Sequence, residues 1–139
     1  MSPASLSIYQ RGIRARNSLW AAFFLLGFAG LAWVPRIPEI KDSLGLSDGQ
    51  FGLVLLGSTL GAIPGAQISG RVVHMHSSKL VIQISGVLLP IGVAIMGAAD
   101  SVSVLLVGMF ITGFNVAFMD IAINAQAVEV EKHTNGRWM

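Results

Sequence analysis

Residues 113–126 read GFNVAFMDIAINAQ, and most of what the sequence says about the fold can be worked out from this stretch. It lies in an apolar run that starts at Val102 and is long enough to cross a bilayer, yet it contains Asp120 and Asn124. A carboxylate in a membrane helix costs about 2.5–3.5 kcal/mol. Each large apolar residue contributes about −0.3 to −0.6 kcal/mol, and twelve of them lie between Val102 and Ile123. The segment therefore inserts, and Asp120 needs a protein or water partner rather than lipid.

On a helix, the small and polar residues of this segment fall on one side and the large apolar residues on the other. The small and polar side, called the α5 stripe below, consists of Gly113, Ala117, Asp120, Asn124 and Ala127. Such a helix suits the wall of a wet cavity, with Gly113 and Ala117 as lining residues. An acid within a membrane is a functional residue by default. The alternative is that Asp120 only caps or pairs with a neighbouring helix.

The composition is that of an integral membrane protein. The chain has 139 residues, of which 53% are hydrophobic and 12% charged, whereas soluble domains are about 25% charged. The basic residues sit in short segments between apolar runs, so the sequence pI near 9.5 does not indicate nucleic-acid binding. There is no cysteine, which excludes disulfides, thiolate metal sites and cysteine nucleophiles.

The apolar runs predict an all-α integral membrane fold with four transmembrane helices. The predicted helices cover about 19–37, 50–73, 80–99 and 102–128, with a cytoplasmic segment at 1–18 and a cytoplasmic tail at 129–139. Ser47 and Gln50 form a capping-box pattern that opens the second helix. Gly57, Gly61 and Gly65 recur every four residues in that helix, a spacing that lets a neighbouring helix approach closely.

The distribution of lysine and arginine predicts the orientation. Seven of the nine fall in the N-terminal segment, the connection between the second and third helices, and the tail, whereas Arg36 and Lys41 lie between the first and second helices. Cytoplasmic loops carry the excess of basic residues. We therefore expect a multi-pass protein of the cell membrane, the inner membrane in a bacterium, with both termini in the cytoplasm.

Several stretches resemble the major facilitator superfamily. Residues 70–79, GRVVHMHSSK, resemble that superfamily's signature loop between the second and third helices, with Gly70 and Lys79 as the matching positions. Residues 27–38 and 44–71 are similar to the opening of a branch related to fucose permease. Asp120 and Asn124 resemble that branch's pattern of an acid in the fourth helix followed four residues later by Asn.

The resemblance covers about residues 14–139 and implies a partial major-facilitator N-terminal bundle. Such transporters have twelve helices in two halves built from inverted three-helix repeats, so the chain is expected to be an N-terminal third. The resemblance makes the first and fourth helices cavity-lining and implies that Asp120 and Asn124 take part in proton coupling and substrate binding. Trp33, at the outer end of the first helix, either faces the cavity or anchors the helix at the membrane interface.

The sequence thus predicts part of a secondary transporter, proton-coupled, for a small polar solute such as a sugar. Its expected partners are the lipid bilayer, the solute, protons, and the remaining helices or a second copy of the chain. No enzyme activity, cofactor, metal or nucleic acid is expected. Two alternatives remain: a self-contained four-helix exporter that works as a dimer, and a non-transporting membrane subunit that assembles through Gly57, Gly61 and Gly65.

Overall fold

The computed structural model describes residues 3–134, and every regular element within them is helical. The elements are α1 (Pro3–Leu31), a 3-10 turn (Val34–Arg36), α2 (Ile37–Ser43), α3 (Asp48–Met75), α4 (Ser78–Gly97) and α5 (Val102–Thr134). The helices α1, α3, α4 and α5 are long and apolar enough to cross a membrane. The predicted all-α membrane fold with four spanning helices is confirmed.

Two helices extend well beyond the apolar runs, whereas α1 ends at Leu31, before the predicted residue 37. The first helix was expected from residue 19 but begins at Pro3, and α5 continues to Thr134, well into the predicted tail. Hydropathy marks where a helix enters lipid, whereas backbone hydrogen bonding continues through arginine, lysine and glutamate, which favour helix. Residues 1–2 and 135–139 of the predicted terminal segments lie outside the described residues.

A small cap, formed by the 3-10 turn and α2, covers one end of the spanning helices. This end is called the outer end below, and the opposite end is called the inner end. Ile40 of α2 is buried with Phe51, Met96 and Leu105, which come from α3, α4 and α5. The predicted capping box is confirmed, because the Gln50 backbone N–H donates to Ser47 Oγ and the Ser47 N–H donates to Gln50 Oε1. The cap thus ties the end of α1 to the three other spanning helices.

Arg36 joins this cap to the last turn of α4. Its Nε and Nη2 both donate to the Glu39 carboxylate at 3.0 Å, and its Nη1 donates to the Gly97 carbonyl oxygen at 3.2 Å. That carbonyl is one of the C-terminal groups of α4 that lack a partner within the helix. A cation at this position also complements the negative end of the helix dipole.

Replacing Arg36 by alanine is expected to loosen the last turn of α4. The Gly97 carbonyl then loses its side-chain donor, so amide hydrogen exchange near residue 97 should become faster. Exchange followed by mass spectrometry in detergent checks this. Lys41→Ala is the control, because Lys41 pairs with Asp48 and not with α4. Equal exchange in the wild type and the Arg36 variant would contradict the prediction.

The α3–α5 contact is the largest in the bundle, and the two helices run parallel. Gly57, Gly61 and Gly65 are all buried in it and meet successively later residues of α5. Near the inner end, Ser69 Oγ donates to the Phe118 carbonyl oxygen at 2.6 Å. The three glycines thus lie in the close helix contact for which their spacing is suited.

The helices α4 and α1 pack on other sides of α5. Gly92 of α4 lies against Thr112, and Leu89 shares a buried cluster with Met119 of α5. The helix α1 joins the same cluster through Leu19 and Leu26, over a smaller contact with α5 than that of α3 or α4. One side of α5 is therefore flanked by α1 and α3 without being fully covered by either.

Candidate functional site

The α5 stripe lies on that partly covered side of α5. At its outer end Gly113 is buried so tightly that an added Cβ would overlap the Ser58 backbone of α3. Further along, the α3 contact moves around α5 to Phe114 and then to Phe118. The stripe is uncovered at Asp120, whose side chain is exposed, whereas Ala127 at its inner end is buried in a cluster that includes Leu19 of α1.

The outer part of the stripe borders a cavity of about 380 Å³ between α1, α3 and α5, called the outer cavity below. The cavity brings together three predicted lining residues, Trp33, Gly113 and Ala117. Ser58 and Thr59 of α3 also line it and add hydroxyl groups that the sequence analysis did not select. The outer cavity is thus mainly apolar with a few hydrogen-bonding groups, which is typical of small-molecule sites.

Asp120 and Asn124 follow Ala117 along the stripe. The Asn124 side chain is half-buried, and its Nδ2 donates to the Asp120 backbone carbonyl oxygen at 2.9 Å. The Asp120 carboxylate takes no hydrogen bond or ion pair from any residue whose side chain the structure describes. The alternative that Asp120 pairs with a neighbouring helix stays a prediction.

A second cavity, of about 180 Å³, lies at the inner end of the stripe between α1 and α5 and is called the inner cavity below. Its polar residues are Arg16 and Glu131, and the Arg16 guanidinium carbon lies 5.6 Å from the centre of the Trp20 ring. Arg16 and Glu131 belong to the predicted terminal segments and are not among the predicted site residues. The spacing in the sequence could have indicated Glu131. It follows Asp120 by eleven residues, which is about three turns of a helix, so the two residues lie on the same face of α5.

The other predicted site residues lie away from the stripe. Gly70 belongs to α3 and has nothing within 4 Å of an added Cβ, and Lys79 lies in the first turn of α4. The helices α3 and α4 are separated by His76 and Ser77 alone, so the expected signature loop is mostly helical. Among the described residues there is no group of three or more His, Asp or Glu that could hold a metal ion.

The chain thus has four helices able to span a membrane, and α5 carries an exposed acid. The sequence profile of the Major Facilitator Superfamily matches residues 8–139. The chain belongs to this superfamily. The narrower resemblance to the fucose-permease branch stays a prediction.

The curated relatives are transport or membrane proteins about three times as long. The chain is 30% identical to an uncharacterised MFS-type transporter of Yersinia pestis, over 94% of the chain and 34% of that protein. It is 30% identical to an uncharacterised transporter of Sinorhizobium fredii, over 81% of the chain and 30% of that protein. It is 27% identical to the membrane protein MosC of Rhizobium meliloti, over 80% of the chain and 27% of that protein. No solved structure matches the chain.

Proposed function

We propose that the chain forms the N-terminal part of a proton-coupled secondary transporter for a small polar, uncharged solute such as a sugar. The observation that carries this proposal is the α5 stripe: Gly113 and Ala117 line the outer cavity, Ala127 lines the inner cavity, and Asp120 lies between them along the helix. The protein would lie in a bacterial inner membrane, with both termini in the cytoplasm, and would belong to the fucose-permease-like branch.

The length of the stripe supports a path across the membrane. From Gly113 at the outer cavity to Glu131, which continues the face of the stripe at the inner cavity, the separation is 18 residues, a rise of about 27 Å. The hydrocarbon core of a bilayer is about 30 Å thick. A face that is small or polar over this distance is unsuited to lipid, and the neighbouring helices leave it partly uncovered. Water and a solute are the partners that fit it.

The groups along the stripe fit a neutral, hydrogen-bonding solute. The midpoint carries the Asp120 carboxylate and the Asn124 amide, and the outer cavity adds the hydroxyls of Ser58 and Thr59. No lysine or arginine is among the residues that line the outer cavity. Protonation of Asp120 would remove a charge from the path and thereby change the relative stability of the inward-open and outward-open states. Proton binding and solute binding would then be coupled.

Cysteine accessibility tests whether the stripe faces water. The chain contains no cysteine, so any labelling of a single-cysteine variant comes from the introduced residue. In membrane vesicles, Ala117→Cys and Asn124→Cys are expected to react with a charged, membrane-impermeant methanethiosulfonate. Val87→Cys is the matched control, because Val87 is 64% exposed near the middle of α4 but lies on an apolar surface and should stay unlabelled.

Labelling after denaturation shows that each cysteine is present and reactive. If Ala117→Cys and Asn124→Cys were as unreactive as Val87→Cys in intact vesicles, the stripe would face lipid or packed protein, and the proposed path would be lost.

A further inference from the structure

A third cavity lies on the other side of the α1–α5 contact from the stripe. It has a volume of about 200 Å³ and is formed where α1, α4 and α5 meet, and we call it the three-helix pocket. Its polar lining consists of Ser18, Lys79, Gln83 and Gln126, and its apolar lining of Ala15, Leu19, Ala22 and Ile82. No acidic residue lines it. We propose that the three-helix pocket binds the headgroup of an anionic phospholipid.

The depth of the pocket matches a lipid headgroup. The helix α4 has 20 residues, a length of about 30 Å, which equals the thickness of the hydrocarbon core. Lys79 is the second residue of α4 and therefore lies at the boundary between headgroups and acyl chains. Ile82 and Ala22 lie further into the bilayer, where acyl chains would contact them.

The polar groups of the pocket suit a phosphate. Lys79 supplies a cation, and Gln83 and Gln126 supply amide N–H donors from two different helices. Among the residues whose side chains the structure describes, these three side chains have no hydrogen bond or ion pair. The first turn of α4 carries no acid, so the positive end of its dipole adds to the attraction for an anion. Basic pockets between transmembrane helices bind acidic lipid headgroups.

A lipid is favoured over a soluble anion because the lining has two parts. Lys79 sits at headgroup depth, while Leu19, Ala22 and Ile82 form an apolar wall beside the polar groups. A free phosphate would make no contact with these apolar residues, whereas the acyl chains of a phospholipid would cover them. The pocket is separate from the α5 stripe, so this proposal does not rest on the transport function.

Native mass spectrometry of the 139-residue chain, released from vesicles of phosphatidylcholine mixed with phosphatidylglycerol, tests the proposal. The wild type is expected to retain phosphatidylglycerol in preference to phosphatidylcholine. Lys79→Gln should weaken this retention about fivefold, the effect of one basic residue near an anionic surface. Gln126→Leu should weaken it without any change of charge.

Arg71→Gln is the matched control, because Arg71 is an exposed cation near the inner end of α3 and does not line the pocket. Its retention of phosphatidylglycerol should equal that of the wild type, and Lys79→Arg should restore most of the binding. Circular dichroism shows whether each variant is folded. The proposal is overturned if Arg71→Gln and Lys79→Gln reduce the retention of phosphatidylglycerol by the same factor. It is also overturned if the wild type shows no preference between the two lipids, or if inorganic phosphate displaces the bound lipid.

Discussion

Replacing Gly61 by alanine is expected to force α3 away from α5 and to destabilise the bundle more than alanine at Gly57 or Gly70 does. An alanine Cβ at this position would overlap the Phe110 carbonyl oxygen and lie 2.8 Å from the carbonyl carbon of that residue and 2.9 Å from the Phe114 nitrogen. These are backbone atoms of α5, so no side-chain rotation relieves the overlap. Overpacking of this kind costs about 3 kcal/mol, a large share of the usual stability of about 5–15 kcal/mol.

Two other glycines of α3, Gly57 and Gly70, provide a graded control. At Gly57 a Cβ would lie 3.1 Å from Leu106 Cδ2, the flexible end of a side chain, so Gly57→Ala should cost less. At Gly70 nothing lies within 4 Å, and alanine should stabilise the helix by up to about 1 kcal/mol. The midpoint of thermal unfolding is measured for each of the three variants, purified in detergent, by circular dichroism. Similar midpoints for Gly61→Ala and Gly70→Ala would show that α3 and α5 do not touch as described.

Replacing Asp120 by asparagine is expected to abolish proton-coupled solute uptake. Asparagine has nearly the same shape as aspartic acid but cannot exchange a proton, so the proposed coupling group would be lost while the stripe keeps its geometry. The assay uses the full-length transporter of which we propose the chain forms the N-terminal part, in proteoliposomes that contain an internal pH dye. Monosaccharides are added one at a time, and the wild type should show a solute-dependent pH change that Asp120→Asn lacks.

Exchange of labelled solute across the membrane at equilibrium separates two roles of the carboxylate. If Asp120 only carries the proton, Asp120→Asn should still exchange the solute, because exchange needs no net proton movement. If Asp120 also binds the solute, exchange should fall as well. Asp100→Asn is the control, because Asp100 is an exposed acid in the turn between α4 and α5. Unchanged uptake in Asp120→Asn would remove Asp120 from the mechanism.

The parts of the fold that depend on local rules were predictable from the sequence. Apolar run length indicated the four spanning helices, and the Ser47 and Gln50 pattern indicated the start of α3. The four-residue spacing of Gly57, Gly61 and Gly65 indicated a close helix contact. Each of these depends on residues near one another in the chain, which a single sequence displays directly.

The parts that depend on contacts between distant segments were not predictable in the same way. The sequence does not say that α3 packs against α5, so Ser58 and Thr59 could not be placed near Gly113 and Ala117. For the same reason Arg16 could not be placed near Glu131, which lies 115 positions later in the chain. The cap helix α2 was missed because it has only seven residues, too few to show a clear helical period.

The outer cavity, the inner cavity and the three-helix pocket all border α1, whereas α3 and α5 touch through their backbones over several turns. Helices in such close contact cannot slide past each other without atomic overlap, so α3 and α5 behave as one rigid body. A helix with cavities on several sides makes fewer direct contacts with its neighbours and can tilt with less loss of packing. If this part of the protein changes shape while it works, α1 is the element that rocks, and the α3–α5 pair is the frame against which it moves.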